Sequence, residues 1–118
     1  MSENSDGRPP KAEEDRLYRK RIETIRAGVA NGVNFDRACE LVTVEDGEMR
    51  AMIIDDALKI EIAELHYGKG LPLLDVAKKL GVSMERLLRA NSEMMEDILN
   101  TAEEVAKQQA PRSEKHIH

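Results

Sequence analysis

Leu71-Pro-Leu-Leu-Asp-Val-Ala-Lys-Lys-Leu-Gly-Val-Ser-Met-Glu-Arg-Leu-Leu-Arg-Ala-Asn91 is the stretch that decides how this chain folds. Two short amphipathic segments flank Gly81 and Val82, and the spacing predicts two helices joined by a tight turn. Pro72 suits the first turn of the first helix, where its missing amide donor costs nothing. Ser83 is placed to cap the second through its hydroxyl oxygen. Val76, Ala77 and Leu80 share an inward face on the first helix, and Leu87 and Leu88 supply one after the turn.

The same three-four periodicity extends in both directions. Tyr18, Ile22, Ile25 and Val29 form one apolar stripe, weakened by Gly28 and stopped by Gly32. Asn34 predicts a cap for a short helix through Val42, with Phe35, Ala38 and Cys39 inward. A longer helix is expected from Asp46 to Tyr67. Its apolar arc is broad enough to touch more than one neighbour. Gly68 and Gly70 bracket a turn. After Asn91, Ser92 is expected to restart a last helix with Met95, Ile98, Leu99, Ala102 and Val105 on its apolar side, ended by Pro111. The expectation is an all-α fold: a compact small helical domain over residues 12–109, with a disordered polar tail at 1–11 and a flexible one at 110–118.

Composition agrees with helix-on-helix packing. The 118 residues are 41% hydrophobic but only 3% aromatic, so the core must come from Leu, Ile, Val, Met and Ala. A core of that size gains from self-association, and a homodimer is one expectation. Cys39 is the single cysteine, which excludes an intrachain disulfide and suggests a reduced core or half-buried thiol. No apolar run is long enough to span a bilayer and no apolar signal segment is visible, so a cytoplasmic protein with no membrane partner is expected.

The net charge of −5 argues against indiscriminate binding of nucleic acid. Its distribution is uneven. Residues 36–65 carry a net −6 and residues 93–118 a net −3, whereas residues 66–92 carry a net +3. The one clearly positive window coincides with the paired-helix stretch.

That stretch resembles the helix-turn-helix of many DNA-binding domains, through Val76-Ala77, Leu80, the Gly81-Val82-Ser83 turn and Leu87. The resemblance covers about one-sixth of the chain and implies a second helix lying in the major groove while the first braces it. On that basis Lys78, Lys79, Ser83, Arg86, Arg89 and Asn91 are the candidate DNA-binding residues of a sequence-specific transcriptional regulator. Arg pairs with guanine and Asn with adenine, while the lysines suit phosphates. Met84 and Ala90 are expected on the same surface. Asp75 to Asn91 also resembles, less strongly, the paired helices of LysM glycan-binding domains, a family that flanks them with strands. The alternative to DNA binding is a non-catalytic helical interaction or structural module. Its motive is the apolar stripes of the first and last helices, together with adaptable Met49, Met52, Met84, Met94 and Met95.

No catalytic set, cofactor or metal site is expected. Asp55, Asp56, Glu61, Glu64 and His66 make an acidic region on the long helix, but its spacing lacks the Glu-x-x-His pair of a helical metal site. No glycine-rich phosphate loop is present.

Overall fold

In the computed structural model, the backbone of residues 3–117 and the side chains of residues 11–108 are described. Five α-helices follow one another: α1 (Glu3–Ala30), α2 (Phe35–Cys39), α3 (Gly47–Ile62), α4 (Leu73–Leu80) and α5 (Met84–Ile117). A π-helical turn, Ala63–Gly68, continues α3. The described residues contain no strand, so the fold is all-α. The expected tails at 1–11 and 110–118 fall almost wholly outside the residues whose side chains are described.

Local signals act where the sequence puts them. Asn34 Oδ1 accepts from the Arg37 amide at 2.9 Å and starts α2, and Asp46 does the same for α3 through the Glu48 amide. Gly81 ends α4 in the left-handed region at φ 74°, a conformation that glycine adopts without steric cost. A Cβ there would stand 3.0 Å from that of Asn34, so the turn lies directly against the cap of α2. Gly28 also has a packing role. A methyl at this position would meet Ala38 Cβ and Leu41 Cδ1 at 3.1 Å, so the missing side chain lets α1 and α2 approach closely.

One core joins all five helices. Ile22, Ile25 and Val29 of α1 are buried with Phe35, Ala38 and Cys39 of α2 and with Ile53, Ala57, Leu58 and Ile62 of α3. Val76, Ala77 and Leu80 of α4 close it with Leu87 and Ala90 of α5. The apolar stripe of α1 is therefore internal. Tyr18 extends it and donates to Asp56 Oδ2 at 2.6 Å. Desolvation and that carboxylate push the phenol up to about 12.

Four expectations about local structure need correction. First, α5 is continuous where an interruption at Asn91-Ser92 is expected. Asn91 makes its side-chain bond to Tyr67 and does not compete for the backbone of its own helix. Second, the helix runs on past Pro111 to Ile117; a proline removes one helical hydrogen bond and need not end the run. Third, the long helix does not stay α-helical to Tyr67. The Lys69 amide reaches back five residues to the Glu64 carbonyl, and Leu71 reaches back six to Leu65. His66 Nδ1 donates to the Leu71 carbonyl at 2.6 Å and locks this wider turn. Fourth, α2 ends at Cys39, short of Val42, and Pro72 is the cap of α4 and not its first residue.

Candidate functional site

The junction of α4 and α5 carries all six residues predicted to touch DNA, and it divides them. Ser83 caps α5, its hydroxyl accepting from the Arg86 amide at 3.1 Å. Arg86 turns back across the turn: Nη1 lies 2.9 and 3.1 Å from the two carboxylate oxygens of Asp36, with the guanidinium 5.5 Å over the ring of Phe35. It fastens α5 to α2. Asn91 accepts from the Tyr67 hydroxyl at 2.7 Å and fastens α5 to the π-helical turn.

Lys78, Lys79 and Arg89 stay exposed, the last at 65% with Glu85 4.0 Å away. Two neighbours depart from their expected positions. Ala90 is buried where it is expected on the surface, and Leu88 is 47% exposed where it is expected inside. The helix turns 100° per residue, so Leu87 and Ala90 face α3 and α4 while Leu88 falls outside that arc.

The acidic region is likewise dispersed. Asp56 serves Tyr18, and Asp55 pairs with Lys59 at 2.9 Å. Lys59 also reaches Glu93 of α5 at 3.0 Å. Those two carboxylates hold its ammonium well above the usual lysine range. Glu64 is bonded by Arg26. Among the described residues no group of three His, Cys, Asp or Glu side chains could hold a metal ion.

Glu61 is the exception, 4% exposed and the one buried charged side chain of the core. Burial pushes its carboxyl up, and Glu64 adds to the effect while Arg26, Lys79 and Lys69 oppose it. It borders a polar cavity of about 380 Å³ between α1 and the π-helical turn, which Arg26, Glu64, Lys69 and Lys79 also line. Arg26 spends its two terminal nitrogens on Glu23 and Glu64, leaving a buried Nε without a partner.

The largest feature whose surroundings the sequence leaves open is the far part of α5. Its 34 residues make a helix about 51 Å long. The body buries residues of the first three turns, through Leu87, Ala90 and Met94, and reaches Met95 through the Tyr67 hydroxyl, 3.6 Å from its sulfur. From Met95 to Gln108 every residue is exposed. Ile98 and Leu99 are exposed at 56% and 61%, and Met95 and Val105 at over 40%. The apolar stripe of the last helix was legible from its spacing, but not that no described residue covers it.

Compared with protein-family models, curated proteins and solved structures, the chain matches none. The site must be read from its own chemistry.

Proposed function

We propose that this chain is a non-catalytic helical interaction module whose working element is the projecting part of α5. One observation carries this: a continuous apolar face on a helix that the body leaves uncovered from Met95 onward. Large apolar side chains gathered on one exposed face mark a docking surface, because leaving them in water forgoes roughly 25 cal/mol per Å². The division of labour at the α4–α5 junction supports it too. Ser83 caps the start of α5, while Arg86 and Asn91 brace it against α2 and the π-helical turn, which gives the projecting part a rigid base.

DNA binding would have to rest on Lys78, Lys79 and Arg89, beside Asp36, Glu85 and the acidic outer side of α5. The deciding experiment is a magnetic resonance titration with a mixed pool of short duplexes at low salt. The expected result is no saturable, salt-sensitive shift at α4 or the start of α5. Shifts clustered at Lys78, Lys79 and Arg89 that weaken steeply with salt would overturn the proposal in favour of a regulator.

A further inference from the structure

The residues of α5 are sorted by charge. Arg89, Glu96 and Glu103 recur at intervals of seven, Asp97 and Glu104 do the same, and Glu93 and Lys107 lie fourteen apart. These positions fill three of every seven and hold every charge between Leu88 and Gln108. The other four carry none. Within them Leu88, Asn91, Met95, Ile98, Ala102 and Val105 follow one another at three, four, three, four and three residues, the spacing of a seam between two helices. Apart from Asn91, bonded to Tyr67, and Ala102, each of these is a large apolar residue more than 40% exposed.

We infer that the occupant of this seam is α5 of a second copy, lying antiparallel about a two-fold axis between Met95 and Ile98. The inference rests on reading α5 as a docking element. Pairing identical surfaces normally sets like charges face to face, and here no facing position is charged, so nothing repels. The stripe is also complementary to itself when reversed. Leu88 meets Val105, Asn91 meets Ala102 and Met95 meets Ile98, so all six positions are used.

Orientation follows from Tyr67. Its hydroxyl lies 2.7 Å from Asn91 Oδ1 and 3.6 Å from Met95 Sδ, so the layer at Asn91 is the bulky one. Reversal sets it against Ala102, the smallest residue of the stripe. A parallel pair would set Tyr67 with Asn91 against its own copy, and Ala102 against Ala102, crowding one layer and hollowing another. The seam from Leu88 to Val105 spans about five turns, short for a permanent interface, so association is reversible and micromolar.

Sedimentation velocity on the full chain, from about 1 to about 200 μM, tests the pairing. The expected result is a reversible rise from 13.3 kDa toward twice that mass. Ile98→Glu should weaken association at least ~10-fold with the helical spectrum unchanged, since it buries an unpaired charge. Asp97→Lys, one residue off the seam, should leave the association in place. A monomer at every concentration, or an Ile98→Glu chain that associates like the parent, overturns the inference.

Oxidation tests the orientation. A Leu88→Cys/Val105→Cys double variant should cross-link into dimers, whereas Val105→Cys alone should not. Efficient cross-linking by Val105→Cys alone overturns the antiparallel arrangement. The two levels fail separately. A monomer that ignores DNA removes the second copy as occupant and keeps the docking element, whereas DNA shifts at α4 remove the docking element itself.

Discussion

Met84–Met94 and Met95–Gln108 belong to one helix and repeat their apolar residues at one period, yet their surroundings are opposite. The first segment sends Leu87 and Ala90 into the core and is tied by Arg86 to α2, by Asn91 to the π-helical turn and by Glu93 to Lys59 of α3. The second offers Ile98 and Leu99 to solvent. Amphipathic spacing therefore says that a face wants burial and not what buries it. In the first segment the burying partner is this chain; in the second no described residue of the chain supplies one.

The contrast breaks most visibly by truncation. Leu87→Ala should cost about 2–5 kcal/mol in denaturant unfolding, because it opens a cavity at a fully buried site. Leu99→Ala, twelve residues later on the exposed part, should stay within about 0.5 kcal/mol in dilute solution. Equal losses would mean that the body covers both segments. Next in size is the turn that launches α5. Gly81→Ala forces a side chain into φ 74° and against Asn34, and should lower stability by about 1–3 kcal/mol in the same measurement. An unchanged midpoint would show that the turn relaxes freely.

Smaller still is the difference between two arginines three residues apart. Arg86→Ala removes the Asp36 pair and the contact over Phe35, and should cost roughly 0.5–1 kcal/mol. Arg89→Ala, facing water, should show no loss outside error by the same unfolding assay. The smallest effect tests the body alone. The Glu61 carboxyl is raised in the folded chain, so this residue lowers stability as pH climbs from the ordinary carboxylate range through its folded value. Glu61→Gln should therefore stabilise the chain at neutral pH, by on the order of 1 kcal/mol or less, and the gain should vanish in acid. Unfolding midpoints measured at several pH values would show this slope. A gain that does not depend on pH would assign the effect to packing.

The helical class, the stripe of α1, the caps at Asn34 and Ser83 and the start of the long helix near Asp46 were legible in the sequence, because each is set by residues within one or two turns. The packing side of Gly28 was not, since its reason lies across the fold in Ala38 and Leu41. Nor was the π-helical turn, which is fixed by His66 reaching the Leu71 carbonyl. At the candidate site, sequence spacing brought six residues to one junction but could not separate anchors from exposed groups. Asp36 lies 50 positions before Arg86, and only the fold makes them neighbours. Continuity of α5 was misread for a related reason. Asn and Ser are weak helix formers, and a few tenths of a kcal/mol in propensity yield to a tertiary bond such as that between Asn91 and Tyr67.

Cys39 gives the molecule an internal clock. The thiol is 2% exposed, and burial, aided by the Asp36 carboxylate, pushes it up to about 11. At neutral pH a disulfide reagent in solution finds neither a thiolate nor a path to the sulfur until α2 lifts from α1 and α3. The rate at which this one atom becomes labelled therefore counts openings of the body. The projecting part of α5 can fray or dock without advancing that count, so the chain separates the dynamics of its two halves with no added probe.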